Sequence, residues 1–175
     1  AGIFRGSTTS AGGLRISDGV TVARFDHDWT IRVPIGFNAV DTGWVAAGLF
    51  SSVITATSPG VCAIMWRYDG GATQQLSAII RANNIETGSA LNVVTLVPGT
   101  VYRLRVTSDG INVTWRLATG RNSTSYTTYL TVPASTIIAE PTWQTVLVGS
   151  GFRIQKTAGA TSVVALADRH LSVVD

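Results

Sequence analysis

Cysteine and lysine each occur once in these 175 residues, histidine occurs twice, and no run of about eighteen consecutive apolar residues is present. Each scarcity excludes something. The single Cys62 cannot form an internal disulfide, and its setting in VCAIMW is that of a buried strand. With one thiol and only His27 and His170, the usual zinc ligand sets cannot be assembled, so neither a metal nor a cofactor is expected. The missing apolar run argues against a membrane-embedded chain, and the opening AGIFRGSTTSAGG has no apolar core of a signal peptide. Charge is also sparse. Thirteen basic residues against ten acidic ones leave +3, with the arginines scattered singly, which is not the dense basic stripe that nucleic acid selects.

What the sequence has in quantity is alternation. Trp29, Ile31, Val33, Ile35 and Phe37 take every second position, as do Leu76, Ala78 and Ile80, and again Tyr126, Thr128, Leu130 and Val132. Turn residues separate these runs, at Asp41-Thr42-Gly43, Ser58-Pro59-Gly60, Asp69-Gly70-Gly71, Pro98-Gly99, Asp109-Gly110 and Thr119-Gly120. No segment holds an apolar stripe at helical spacing for three turns, and Thr161 to His170 also reads as strand. The expected fold is all-β, an antiparallel sandwich of two sheets spanning residues 14–175 as one domain. Residues 1–13, rich in glycine, serine and threonine, read as a flexible N-terminal arm.

The segment RLRVTSDGINVTWRL, Arg103 to Leu117, reads as a hairpin about Asp109-Gly110. A two-residue type I′ turn there would set Ser108 opposite Ile111, Val106 opposite Val113, Leu104 opposite Trp115 and Tyr102 opposite Leu117, all on the buried face. The other face then carries Arg103, Arg105 and Arg116, with Arg103 directly across from Arg116. Like charges so placed repel by some tenths of a kcal/mol, roughly, and invite an acidic partner. That partner could be a neighbouring subunit's carboxylate, an acidic sugar, or an acid on the adjacent strand of the same chain. The alternative is a solvated face with the guanidinium groups splayed apart.

The run PGTVYRLRVTSDGINVTWRLATG, Pro98 to Gly120, resembles the central hairpin of concanavalin A-like lectin/glucanase and laminin G-like domains, through Gly99, Tyr102, Leu104, Val106, Asp109, Gly110, Val113, Trp115 and Gly120. HDWTIRVPIGF resembles that family's first long strand and LSVVD its closing one. The resemblance implies a jelly-roll sandwich with one concave sheet that binds carbohydrate or protein and, in some branches, cleaves glycans. The cleaving branches carry a Glu-x-Asp-x-x-Glu strand. This chain has none. Its only glutamates, Glu86 in NNIETGS and Glu140 in AEPTW, fall in expected loops, and no G-x-S-x-G elbow is present, so no catalytic residue and no enzyme activity is expected. Asp26 and Asp28 flank His27 in FDHDW, but an aspartate pair at a strand entrance is ordinary turn and surface chemistry.

Sugar sites use exposed rings as stacking platforms. Trp29 and Trp115 fall on the apolar parity of their strands, whereas Trp44, Trp66, Tyr68 and Trp143 lie near turns and are the expected carbohydrate-binding residues. Arg103, Arg105 and Arg116 are the expected partner-binding residues. Two functions follow as expectations. One is a non-enzymatic structural or decorating component of an assembly, such as the surface of a phage virion, a homo-oligomer that meets neighbouring subunits through its arm and arginine face. The other is a carbohydrate-binding adhesion module, extracellular or on a virion.

Overall fold

The computed structural model describes residues 2–6, 11–20, 24–51, 62–139, 143, 148–160 and 163–172. The strands are β1 (Gly2–Gly6), β2 (Ala11–Val20), β3 (Phe25–Arg32), β4 (Gly43–Ser51), β5 (Ala63–Gly70), β6 (Gln75–Ala82), β7 (Ile85–Thr95), β8 (Val101–Ser108), β9 (Asn112–Thr119), β10 (Thr127–Pro133), β11 (Val148–Lys156) and β12 (Val163–Ser172), and a short helix, α1 (Ala134–Ile138), follows β10. They form two six-stranded sheets, sheet A in the order β1-β12-β3-β8-β9-β10 and sheet B in the order β2-β11-β4-β5-β6-β7. Every described pairing is antiparallel. The expected all-β sandwich is the fold found.

Alternation explains the layering. Trp29 and Ile31 of β3, Leu104 and Val106 of β8, and Val113, Trp115 and Leu117 of β9 point from sheet A into the core, where they meet Val45, Ala47 and Leu49 of β4, Ile64, Trp66 and Tyr68 of β5, and Phe152 and Ile154 of β11. Two tryptophans tie the sheets reciprocally. Trp66 Nε1 of sheet B donates to the Arg105 carbonyl of sheet A at 3.2 Å, and Trp115 Nε1 of sheet A donates to the Met65 carbonyl of sheet B at 3.0 Å. Each indole thereby buries its apolar body and satisfies its only donor.

Three expectations are corrected here. The N-terminal stretch is not a free arm: Gly2–Gly6 pairs along β12, and Ala11 to Gly13 open β2 against β11, so it supplies an edge to each sheet. Glu86 lies on β7 rather than in a loop, paired with Arg81 of β6. The β8–β9 register is shifted by two residues: Ser108 pairs with Val113, Leu104 with Leu117, and Arg116 with Arg105 instead of Arg103. The cause is local. Asp109 Oδ1 accepts from the amides of Ile111 at 2.8 Å and Asn112 at 2.7 Å, which stabilises a four-residue connection from Asp109 to Asn112 with Gly110 at φ 90°. Because the shift is two residues, each side chain keeps its face.

Candidate functional site

The outer face of sheet A is a lattice of ion pairs. Asp26 and Asp28 leave β3 outward, while His27 between them is buried beside Phe25, at 5.3 Å between ring centroids. The FDHDW triplet is therefore split across the sheet. Arg103 donates to Asp28 through Nε at 3.4 Å and through Nη2, and from Nη1 to the Ser123 carbonyl at 2.6 Å. Arg105 holds Asp26 in the same two-pronged way, with Nε at 2.8 Å from Oδ1. That carboxylate hydrogen bond raises the Arg105 pKa. The Tyr126 ring lies 5.2 Å from the Arg103 guanidinium carbon and 5.4 Å from that of Arg105, and its hydroxyl donates to Asp28 at 2.5 Å. Burial, with this bond to a carboxylate, pushes the Tyr126 pKa up.

Thus two of the three arginines expected to meet a partner meet acids of the adjacent strand of their own chain. The third does not: among the described residues Arg116 makes no ion pair or side-chain hydrogen bond, although it stands directly across from Arg105.

The four expected aromatic platforms separate sharply. Trp66 and Tyr68 are 0% exposed and Trp143 is 6% exposed, all in the main core, so none presents a ring face to a ligand. Their proximity to turns misled; Trp66 and Tyr68 share strand parity with Ile64 and point between the sheets. Trp44 differs. It is half-buried on the outer face of sheet B, with the Arg153 guanidinium carbon 5.2 Å from its ring centroid. Burial of Arg153 lowers its pKa.

Around Trp44 the register builds a polar row that the sequence reading did not single out. Trp44 of β4 pairs with Asp69 of β5, Asp69 with Gln75 of β6, and Gln75 with Thr95 of β7. One residue pair along, Arg67 donates through Nε to Asp69 at 3.1 Å and through Nη1 to Glu86, which also lies 3.8 Å from Arg81. Desolvation raises the Asp69 pKa despite the opposing pull of Arg67, and burial lowers that of Arg81. Gln75 Nε2 donates to Thr95 Oγ1 at 3.1 Å. The signal for this row was available: in MWRYDG the alternation that sends Trp66 and Tyr68 inward sends Arg67 and Asp69 outward. Beside the row lies a fully buried apolar patch of Ala46, Phe50, Ala63, Met65 and Ile79. An amphipathic ring next to fixed donors and acceptors can hold a polyhydroxylated ring by stacking and by hydrogen bonds to its edge.

No protein-family model and no curated protein sequence matches the chain. Solved structures do. The CBM2 module of the evolved Dit protein of Lactobacillus casei BL23 phage J-1 aligns with TM-score 0.55 and 16% identity over 98% of this chain and 76% of that one. Peanut lectin aligns with TM-score 0.55 and 10% identity, covering 99% of this chain and 92% of its own. Winged bean acidic lectin, in complex with methyl-α-D-galactose, aligns with TM-score 0.55 and 9% identity, covering 94% and 81%. The chain has a lectin-like β-sandwich fold. At these identities the likeness is one of fold.

Proposed function

We propose that the protein is a non-enzymatic carbohydrate-binding module that seats a glycan on the outer face of sheet B, with Trp44 as the stacking platform and Arg67, Asp69, Gln75 and Glu86 as its polar contacts. The observation that carries this reading is the half-buried Trp44 ring in register with Asp69 and Gln75, beside the Arg67–Glu86 pair. Arg67 orients both carboxylates, so their lone pairs are held in place before a ligand arrives. The winged bean acidic lectin, a structural neighbour in complex with methyl-α-D-galactose, supports the same class of ligand.

The test is retention on a glycan array. Trp44→Ala is expected to weaken retention at least about tenfold, since a stacked ring is worth on the order of 1–3 kcal/mol in comparable base-stacking sites. Asp69→Asn is expected to weaken it without lowering Tm by more than a few degrees. Undiminished retention by both variants overturns this surface assignment.

A second reading, that the module belongs to a virion surface, is favoured by the phage Dit neighbour. It is compatible with the first, because a decorating protein can hold glycans on a host. Co-sedimentation with phage particles, together with a multimer by mass in solution, is the expected result; a monomer absent from particles removes it.

A further inference from the structure

We propose a second ligand site on the opposite sheet, a cleft at the β8–β9 turn that takes the carboxylate of an acidic sugar between Arg116 and Arg24. The cleft encloses about 340 Å³ on the outer face of sheet A, and both arginines line it together with Thr107, Thr114 and Asn112. That volume lies at the low end of ligand-sized cavities, roughly 300–1,000 Å³, which suits one small sugar unit.

The charges in the cleft are unequally satisfied. Asp26 is occupied by the Nε and Nη2 of Arg105, and Asp109 Oδ1 by the amides of Ile111 and Asn112. Those two amide bonds also hold the Asp109 pKa below the usual carboxylate range. By contrast, among the described residues neither Arg24 nor Arg116 makes an ion pair or a side-chain hydrogen bond, and Arg24 acts on Asp109 only as a nearby charge that helps lower its pKa. Arg116 is only partly exposed, and its cross-strand neighbour is the cation Arg105. Asp26 already answers the charge of Arg105, so Arg116 is the guanidinium of that pair left without a carboxylate, and an anion between it and Arg24 would supply the forked acceptor a guanidinium matches best.

The neighbours of these arginines narrow the ligand. Asp26 and Asp109 on the same wall repel a polyanion, which disfavours an acidic peptide or a phosphate-rich chain. Thr107 and Thr114, a cross-strand pair of β8 and β9, and Asn112 line the cleft with neutral side chains able to donate to and accept from ring hydroxyls. One negative charge flanked by several hydroxyls is the chemistry of a uronic acid. This site shares no residue with the Trp44 surface, so each can fail without the other.

Titration of the full chain with monomeric galacturonate, its neutral counterpart galactose, inorganic phosphate and an Asp/Glu-rich peptide tests the assignment. We expect the uronate to bind, more weakly as salt rises, and to shift the amide resonances of Thr107, Thr114 and Asn112. Arg116→Gln and Arg24→Gln should each weaken it roughly tenfold, as loss of a charge-assisted hydrogen bond does. Arg121→Gln, an arginine outside the cleft that is paired with Asp168, should leave uronate affinity unchanged. The proposal is overturned if the wild-type chain shows no such shifts, if phosphate or the peptide binds as tightly as the uronate, or if the arginine variants bind it undiminished. The resonance map on the wild-type chain decides the matter even if a variant folds poorly.

Discussion

Arg103 grips Asp28 through both Nε and Nη2, from a position diagonal to it across the β3–β8 ladder, while Tyr126 donates to the same carboxylate. The Asp28 side chain is 6% exposed and that of Arg103 19%, so the pair is shielded but not dry. Asp28→Ala leaves a guanidinium and a phenol without their acceptor. It should destabilise by about 2 kcal/mol, below the roughly 3–5 kcal/mol of a fully buried pair because Arg103 retains some water. Denaturant unfolding of Asp28→Ala, Arg103→Met and the double variant should give clearly non-additive losses; additive ones would mean the two side chains do not act together.

Lys156, the chain's only lysine, is wholly buried, and its Nζ lies 2.6 Å from Asp41 Oδ1. Lys156→Met strands a shielded carboxylate and should cost about 3–5 kcal/mol, with Asp41→Asn in the same chain recovering part of it. Burial has a chemical consequence too. An amine-reactive reagent should modify only the α-amino group of the native protein, and labelling of Lys156 should follow global unfolding in denaturant. Rapid labelling under native conditions would contradict the burial.

Gly159 depends on the same pair. Its φ is +91°, and a Cβ there would stand 2.1 Å from Asp41 Oδ1. Gly159→Ala therefore combines backbone strain with displacement of the carboxylate from Lys156, and should lower Tm more than a Gly→Ala exchange at Gly120, where nothing lies within 4 Å of the added carbon. Equal losses at the two sites would show that only φ matters.

Asp109 offers a pH signature. Its folded pKa is held below the usual value by the amides of Asn112 and Ile111, so its contribution to stability is present above the ordinary aspartate pKa of about 3.9 and is lost as pH falls through the depressed folded value. The Tm difference between wild type and Asp109→Ala should stay constant near neutral pH and shrink in acid. Asp109→Asn keeps the Oδ1 acceptor without the charge and should be nearly insensitive over the same range. A difference that does not change with pH would assign the effect to turn shape alone.

The hairpin about Gly110 illustrates how far a strand pattern reaches. Trp115 was legible as core and Arg103, Arg105 and Arg116 as outward, because both follow from period-two alternation, and a register error of two residues leaves parity intact. The identity of the cross-strand partner was not legible, since it depends on whether Asp109 captures one amide or two, a choice made within the turn. Trp66 and Tyr68 were misplaced for another reason. Their nearness to the Asp69-Gly70-Gly71 turn was given more weight than their alternation with Arg67 and Asp69; contrast is lost only further along β4 and β5, where Ala46, Phe50, Ala63 and Met65 are buried on one face and Val45, Leu49 and Ile64 on the other.

By itself the sequence determined the all-β class, the turn positions, and which residues of the polar-faced strands turn inward, because those depend on neighbours two residues apart along one strand. Only the tertiary structure decided that Arg103 and Arg105 meet Asp28 and Asp26, that Gly2–Gly6 becomes an edge strand, and that Trp44 alone of the four aromatic candidates reaches an outer surface. The physical reason is distance along the chain: those partners are separated by tens of residues, and nothing local to either one specifies which strand will lie beside it.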